Sequence, residues 1–302
     1  MFEFQAITKN FNRQTVVENI SFQVSPGDVL GVLAPGVAGK TTVMRLAANV
    51  LKADQGEIIY QGKRLKKVPG KIFGYIPQTR GIYQRARVIK YLIYAGLLNQ
   101  LSKNQAKKEA LNHLDFYQLS HLVEKRIGDL DAEIQQKIQL IASILHDPEI
   151  LMIDEPFTGF CLTNLELIET WIRQFKEKNK LVILASRHLK KAENFCDRIC
   201  FLNQGRLILN TSMLEIRARI KDNVFRLECE EDISFLKLIK EVLIKEEARN
   251  IYKITLRDKS FDAHKLVSVL NKNIKITRFE QYRPDLNDIY IGLIKTIQRR
   301  MT

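Results

Sequence analysis

The sequence predicts an α/β protein with a mostly parallel sheet, followed by a small α+β domain. Three apolar runs, DVLGVL (28–33), EILMID (149–154) and LVILAS (181–186), each lead into a segment with helical spacing. This alternation is typical of parallel strands joined by helices. After MLEIRARIKD (213–222), which has helical spacing, the pattern restarts with shorter strands. We therefore expect one domain over residues 1–221 and a second over 222–302.

The periodicity predicts the elements of the first domain in order. The chain starts with MFEFQAITKN (1–10), whose alternation of apolar and polar residues predicts a strand. GKTTVMRLAANVL (39–51) and LELIETWIRQFKEK (165–178) have the spacing of helices that cover one face of a sheet.

The second domain has short alternating strands separated by segments of helical spacing. The strands are NVFRLECE (223–230), NIYKITLR (250–257) and IKITRFEQY (274–282). The helical spacing occurs in FLKLIKEVLIKE (235–246) and AHKLVSVLNK (263–272). A mixture of this kind predicts a small α+β fold.

Composition limits the location and the partners of the chain. The 302 residues carry a net charge of +14, which suits an anionic membrane surface, a nucleic acid or a solvated basic face. No apolar run is long enough to cross a bilayer, and the start does not resemble a leader, so we expect a soluble, unexported protein. Four cysteines, with only CDRIC (196–200) closely spaced, predict packing in a reducing compartment.

The segment GVLAPGVAGKTT (31–42) fits the second half of the phosphate-loop pattern G-x-x-x-x-G-K-[ST]. In such loops the backbone N–H groups and a helix N-terminus surround phosphates, the lysine reaches the outer phosphates, and the hydroxyl binds magnesium. Ala34 replaces the leading glycine, and Ala34 and Val37 stand where glycine usually permits positive φ. We expect strain of about 1–3 kcal/mol at each, partly relieved by Gly36.

Further motifs follow the loop in a fixed order. Gln78 lies in YIPQTRG, Asp154 and Glu155 lie in ILMIDEPFTG, and His188 lies in LASRHL. Over roughly residues 1–220 this set resembles the ATP-binding subunit of ABC transporters, and it argues against small-molecule kinases and GTPases. The C-terminal segment, with LNDIYIGLI (286–294), resembles the small extra domain of drug-export and sodium-export type subunits. The resemblance implies a P-loop fold with a helical subdomain at about 80–146.

The resemblance also implies a role for each matching residue, with ATP and Mg²⁺ as the bound cofactors. Glu155 would orient and deprotonate the attacking water, His188 would contact the γ-phosphate, and Gln78 would sense the phosphate and the metal. The ATP-binding set is Phe11, Gly36, Val37, Ala38, Gly39, Lys40, Thr41 and Thr42, and the metal set is Thr41, Gln78 and Asp154. Three alternatives stay open: a helix-capping turn at the acid pair, a structural role for His188, and core packing for Phe11.

The departures from the family pattern lie in segments that, in the family dimer, contact the nucleotide site of the other subunit. The segment LDAEIQQKIQL (130–140) stands where the family has a serine and glycine-rich signature that faces the γ-phosphate bound by the other subunit. Asp131 replaces the serine and Glu133 a glycine, and one carboxylate about 4 Å from a phosphate charge costs about 4 kcal/mol at an effective dielectric near 20. Asp131 is instead a good helix N-cap. Cys161 stands at the position of the aspartate that couples the two sites.

These departures lead to one hypothesis with two alternatives. We expect an ATP-binding subunit, cytoplasmic and peripheral on the inner face of the membrane, that powers an integral membrane subunit, as in exporters. It would pair with a second ABC ATP-binding subunit, as a heterodimer in preference to a homodimer, and no nucleic acid is expected. The alternatives are a non-hydrolysing scaffold and a soluble ABC factor on ribosomes or nucleic acid.

A basic group just beyond Gln78 predicts a docking surface for the membrane subunit or a solvated face. It comprises Arg80, Arg85, Arg87 and Lys90.

Overall fold

The computed structural model describes residues 1–12, 14–65, 71–79, 81–219, 223–257 and 261–301. The chain divides into two compact units, Met1–Met213 and Leu214–Thr302. The boundary predicted between residues 221 and 222 lies outside the described residues and stays a prediction.

The first unit alternates strands and helices along most of its length. In chain order its elements are β1 (Phe2–Phe11), β2 (Gln14–Val24), β3 (Val29–Leu33), α1 (Lys40–Ala47), β4 (Gln55–Tyr60), β5 (Lys63–Arg64), β6 (Phe73–Ile76), α2 (Val88–Leu98), α3 (Lys103–Phe116), α4 (Ala132–Ile144), β7 (Ile150–Asp154), α5 (Leu162–Glu177), β8 (Leu181–Ser186), α6 (Leu189–Ala192), β9 (Arg198–Asn203) and β10 (Arg206–Ser212). The strands predicted from the apolar runs are β3, β7 and β8.

A six-stranded sheet in the order β10-β9-β3-β8-β7-β6 forms the centre of this unit. Its strands pair in parallel except β10, which runs antiparallel to β9 at one edge. Every residue of β3, β7 and β8 is buried, as expected for strands covered on both faces. Leu33 pairs with Ser186, and Asp154 pairs with Ala185. The carboxyl ends of three strands therefore meet at one edge of the sheet, where ligands bind in folds of this kind.

A second, antiparallel sheet has the strand order β2-β1-β4-β5. Its apolar side chains, including Phe2, Phe4 and Phe22, belong to the same buried cluster as Met44 and Ala47 of α1. Phe4 and Phe22 stack with ring centroids 4.4 Å apart. Helix α1 and the loop before it also contact strand β2, where Gly39 lies against the backbone of Val16.

Helices α2, α3 and α4 lie within residues 80–146, where the sequence predicts a helical subdomain. They share an apolar cluster that includes Leu92, Leu114 and Ile138, all fully buried. Helices α2 and α3 approach closely at Gly96, because a Cβ there would lie 2.6 Å from the Cβ of Ala106. No helix among the described residues is both long enough and apolar enough to span a membrane.

The second unit is α+β. Its elements are α7, which begins at the boundary (Met213–Arg219), β11 (Val224–Glu228), a 3₁₀ turn (Ser234–Leu238), β12 (Val242–Ala248), β13 (Ile251–Leu256), α8 (Ala263–Asn273), β14 (Arg278–Gln281) and α9 (Leu286–Met301). The strands form an antiparallel sheet in the order β12-β13-β11-β14. Leu266 and Leu270 of α8 are fully buried in the core of this unit.

One predicted helix of the second unit is wrong. FLKLIKEVLIKE has helical spacing, yet its first part forms the 3₁₀ turn and its second part is strand β12. Val242 pairs with Leu256 and Ile244 with Ile254, so β12 completes the edge of the sheet. The alternation of Val242 and Ile244 decides the structure, because pairing with β13 packs both side chains against the apolar core of this unit.

Candidate functional site

The loop between β3 and α1 borders a cavity of about 280 Å³ at the carboxyl edge of the parallel sheet. Its described lining consists of Val16, Gly36, Val37, Ala38, Gly39, Lys40, Thr41, Thr42, Gln78, Glu155 and Arg187. The structure thus gathers most of the predicted ATP-binding set, together with Gln78 and Glu155, around one cavity. The predicted residues come from three separate parts of the sequence, and Val16 and Arg187 add two more.

The backbone of the loop does not have the strain expected at Ala34 and Val37. Neither of them has a positive φ; the positive values belong to Gly36 (70°) and Gly39 (89°). Gly39 is also sterically required, since a Cβ there would lie 2.9 Å from the carbonyl oxygen of Val16. The expectation was wrong because the two remaining glycines take the left-handed positions, which leaves ordinary conformations for the alanine and the valine.

Lys40 is buried and bound by its own loop. Its Nζ donates hydrogen bonds to the carbonyl oxygens of Ala34 (2.9 Å) and Gly36 (2.8 Å) and lies 3.4 Å from Oε1 of Glu155. Burial lowers the pKa of Lys40, and the nearby Glu155 carboxylate opposes that shift. The ammonium group therefore stands at the floor of the cavity, with partners that an incoming phosphate could replace.

Asp154 is almost completely buried at the end of β7. One carboxylate oxygen, Oδ2, accepts a hydrogen bond from the Tyr75 hydroxyl (3.3 Å). The other, Oδ1, has no hydrogen-bond partner among the described residues. Burial raises the pKa of Asp154, and the Thr41 side chain acts in the opposite direction. A buried, unpaired carboxylate oxygen beside a hydroxyl is the kind of donor set that Mg²⁺ prefers, so these residues fit a magnesium ion.

Glu155 follows directly in a left-handed conformation, with a φ of 53°. Its backbone N–H donates to the carbonyl oxygen of Ala185 (2.9 Å), which fixes the turn at the end of the sheet. Its Oε2 accepts a hydrogen bond from the backbone N–H of Arg187 (3.0 Å) and lies 3.8 Å from the guanidinium Nε of the same residue. The carboxylate thus lies between two cations, Lys40 on one oxygen and Arg187 on the other. Non-glycine residues held in this conformation are concentrated at functional sites.

Three of the predicted residues lie apart from the described cavity lining, namely Asp154, His188 and Phe11. His188 precedes α6, and its Nε2 hydrogen-bonds with Oγ1 of Thr158 (3.3 Å). Phe11 lies at the end of β1, is 41% exposed, and has the Lys9 ammonium 5.5 Å from its ring centroid. The γ-phosphate contact of His188 and the adenine stacking of Phe11 stay predictions.

Sequence reasoning missed three residues of the site, namely Val16, Tyr75 and Arg187. Tyr75 lies in β6, which pairs directly with the strand that ends at Asp154, and periodicity alone does not give that pairing. Burial and the Asp154 charge raise the pKa of Tyr75 to about 12, so the hydroxyl stays a donor. Arg187 precedes His188 in the LASRHL motif. Only the fold shows that its backbone N–H reaches the carboxylate of Glu155.

The first turn of α4 carries the two acidic departures. Asp131 is the N-cap, as predicted, and its Oδ1 accepts a hydrogen bond from the backbone N–H of Ile134 (2.9 Å). Glu133 accepts a hydrogen bond from the hydroxyl of Thr163, and its backbone carbonyl accepts one from Asn164 (3.1 Å). Gln136 donates to the carbonyl oxygen of Gly159 (2.8 Å). Both carboxylates are therefore held by contacts within the chain.

The closely spaced cysteines are packed in the interior. Cys196 and Cys200 are buried and free, and burial raises the pKa of Cys200 to about 12. Among the described residues there is no group of three or more His, Cys, Asp or Glu side chains placed to hold a metal ion. These observations agree with the packing role expected from their spacing.

The profile of the ABC transporter family matches residues 17–158, and that of the C-terminal domain of DrrA1-3-like ATP-binding proteins matches residues 212–294. The ABC transporter ATP-binding protein MJ1023 of Methanocaldococcus jannaschii, itself uncharacterized, is 31% identical over 83% of this chain and 93% of its own length. An uncharacterized ABC transporter ATP-binding protein of Bacillus subtilis, YhaQ, is 26% identical over 98% of this chain and 99% of its own length.

Solved structures agree on the fold. An ATP-binding subunit of an ABC transporter has a TM-score of 0.65 at 24% identity, covering 72% of this chain and 92% of its own. The cassette MJ0796, a dimer in a post-hydrolysis state bound to ADP and phosphate, has a TM-score of 0.62 at 16% identity, covering 70% and 99%. ATP-binding domains of this family bind ATP with Mg²⁺ and act with membrane transporter subunits. From the two matching profiles and the relatives that span most of its length, the chain is a member of the ABC transporter family, an ATP-binding protein with a DrrA-like C-terminal domain.

Proposed function

We propose that this ATP-binding subunit is the hydrolysing half of an asymmetric pair that powers a membrane exporter. The observation that carries the proposal is a contrast within the first unit. Lys40, Thr41, Gln78 and Glu155 share one cavity, whereas the first turn of α4 presents Asp131 and Glu133 where the family has its signature. The first set serves the chain's own site, and the second would face the site of the partner.

The chain's own residues have the chemistry for phosphoryl transfer to water. The loop N–H groups and Lys40 would bind the phosphates, and Thr41 and Asp154 would hold Mg²⁺. Bound Mg²⁺ would neutralise part of the negative charge of the phosphates. Glu155 would orient the attacking water and accept its proton, for which its buried carboxylate must first leave Lys40. His188 and Gln78 would contact the terminal phosphate from the two neighbouring loops.

The surface at α4 is unsuited to the partner's phosphate. Each carboxylate about 4 Å from a phosphate charge costs about 4 kcal/mol at an effective dielectric near 20, and two such groups are present. The same carboxylates stabilise the helix start that they occupy, through the cap at Asp131 and the bond from Thr163 to Glu133. A homodimer would repeat this surface at both sites, so we favour a heterodimer whose other subunit supplies an intact signature.

The direction of transport is proposed from the relatives that this chain resembles. The Nod factor export ATP-binding protein I of Paraburkholderia xenovorans is 29% identical over 68% of this chain and 69% of its own length. The linearmycin resistance ATP-binding protein LnrL of Bacillus subtilis is 28% identical over 73% and 72%. Their names describe outward transport or resistance, and the DrrA-like domain supports the same direction for this chain.

A docking surface for the membrane subunit is proposed just beyond Gln78. Arg85, Arg87 and Lys90 are exposed there, and Arg87 forms an ion pair with Glu124 (2.6 Å). Arg80, the fourth basic residue of this group, lies outside the described residues. Tyr83 is 65% exposed beside them and packs edge-on against Tyr94, which is 48% exposed. Basic groups beside exposed aromatic rings suit an acidic cytoplasmic loop of a membrane protein, which would hold the chain on the inner face of the membrane.

The scaffold alternative loses its main support, because it rested on an eroded loop whose backbone has no strain at Ala34 or Val37. The decisive experiment is steady-state ATPase activity of the complex purified with its membrane partners, as wild type and as Glu155→Gln. We expect the activity to collapse in Glu155→Gln. An unchanged activity would mean that hydrolysis takes place in another subunit, and fast ATP hydrolysis by a pure homodimer of this chain would contradict the asymmetric pair.

A further inference from the structure

Arg187 is a cation of the nucleotide cavity with no part in the roles assigned so far. Its side chain is 44% exposed, and it borders the same cavity as Lys40, Thr41 and Gln78. Its guanidinium Nε lies 3.8 Å from Oε2 of Glu155. The backbone N–H of Arg187 holds the same carboxylate oxygen at 3.0 Å, so the position of Glu155 does not depend on the side chain.

The charges of the described cavity explain why a second cation matters there. Asp154 and Glu155 bring two carboxylates to the end of β7, and Lys40 alone would leave a net negative site for a polyphosphate. With Arg187 the four described groups balance. Arginine suits this place, because its planar guanidinium can bind phosphate oxygens through two parallel hydrogen bonds.

The geometry points to one end of the nucleotide. In phosphoryl transfer to water, the residue that orients the water lies beyond the terminal phosphate, in line with the bond that breaks. Glu155 has that role in the proposed function, and Arg187 is its neighbour on the side away from Lys40. Because Arg187 contacts the carboxylate oxygen of Glu155 that is not paired with Lys40, it is placed for the third phosphate.

We propose that Arg187 binds the terminal phosphate of the nucleotide, exchanging its ion pair with Glu155 for that phosphate. The exchange makes the site select a triphosphate over a diphosphate, and it frees Glu155 as nucleotide binds. The inference rests on the proposed function, because it takes Glu155 as the residue beside the attacking water.

The test compares affinities for two nucleotides in the full-length chain, without turnover. The slowly hydrolysed triphosphate analogue AMP-PNP and ADP are titrated with Mg²⁺ present, by calorimetry, into wild type, Arg187→Gln and Arg187→Lys. We expect Arg187→Gln to weaken AMP-PNP about 10-fold and ADP less than twofold, with Arg187→Lys in between. Lys191→Gln is the matched control, because it removes the same charge from an exposed residue of α6 and should change neither affinity.

The remaining outcomes separate a failure of this inference from a failure of the proposed function. Equal weakening of AMP-PNP and ADP, or no weakening of either, would overturn the inference while leaving nucleotide binding intact. Binding of neither nucleotide by the wild type would overturn the proposed function together with the inference. Thermal unfolding without nucleotide checks that Arg187→Gln is folded, and Arg187→Lys gives the same comparison if it is not.

Discussion

The acidic first turn of α4 can be converted into a neutral one without removing the helix cap. In Asp131→Ser/Glu133→Gly, serine keeps an oxygen that can accept the hydrogen bond from Ile134 N–H, so the helix start loses only a few tenths of a kcal/mol. The hydrogen bond from Thr163 to Glu133 is lost, which costs about 1 kcal/mol of folding free energy. The fold should therefore survive the double substitution.

The double substitution removes the repulsion between these carboxylates and the bound phosphate at the dimer interface. This gain in association free energy should exceed the loss of folding free energy. Both carboxylates are on exposed residues, so the repulsion between each carboxylate and the phosphate is at least its value in water, about 1 kcal/mol at about 4 Å. The upper limit is about 4 kcal/mol, at an effective dielectric near 20. A homodimer carries this turn at both of its sites, so four carboxylates give at least about 4 kcal/mol, which corresponds to about 1,000-fold tighter ATP-dependent association of the chain with itself.

The assay is sedimentation velocity of the purified chain with ATP and Mg²⁺, in a Glu155→Gln background that prevents turnover. The charge-matched control is Glu166→Gln/Glu169→Gln, which neutralises two exposed carboxylates of α5. We expect an ATP-dependent dimer for Asp131→Ser/Glu133→Gly and none for the control. If the double substitution leaves self-association unchanged, the carboxylates are not what blocks the homodimer, and the electrostatic argument fails.

Three further predictions concern the loop and the metal position. Asp154→Asn should raise the melting temperature of the nucleotide-free protein at pH 7 by about 2–4 °C, since burial raises the pKa of Asp154 and its ionised form costs stability. The gain should vanish as the pH falls through the folded pKa, and the same variant should lose Mg²⁺-dependent ATP binding in calorimetry. Gly39→Ala should lower the free energy of unfolding in urea by about 1 kcal/mol or more beyond Gly36→Ala, because only Gly39 has a carbonyl oxygen 2.9 Å from an added Cβ. Lys40→Ala should remove nucleotide binding, measured by fluorescence of a labelled ATP, while Lys191→Gln should not.

Much of the fold followed from the sequence because three of the parallel strands are almost entirely apolar. A strand buried on both faces has few polar positions, so β3, β7 and β8 stood out as short apolar runs. The motifs at the ends of those runs then identified Lys40, Asp154 and Glu155, since the carboxyl ends of parallel strands meet at one edge. The cap at Asp131 followed from its place before a helix with apolar periodicity.

The remainder depended on contacts between distant segments. Val16 and Tyr75 are on strands whose neighbours are set by sheet topology, which periodicity does not give. The loop backbone was misjudged at Ala34 and Val37, because the shift of positive φ to Gly36 and Gly39 is a property of the closed loop. Strand β12 was misjudged because Leu236 and Ile239, which precede it, extend the helical spacing. In each case tertiary pairing overrode the local pattern.

Asymmetry is the central claim, and the composition of the native complex tests it most directly. The complex would be purified through a tag on this chain in mild detergent, and its subunits would be counted by native mass spectrometry. We predict one copy of this chain, one copy of a different ATP-binding subunit with an intact signature, and membrane subunits. Two copies of this chain with no other ATP-binding subunit would contradict the account.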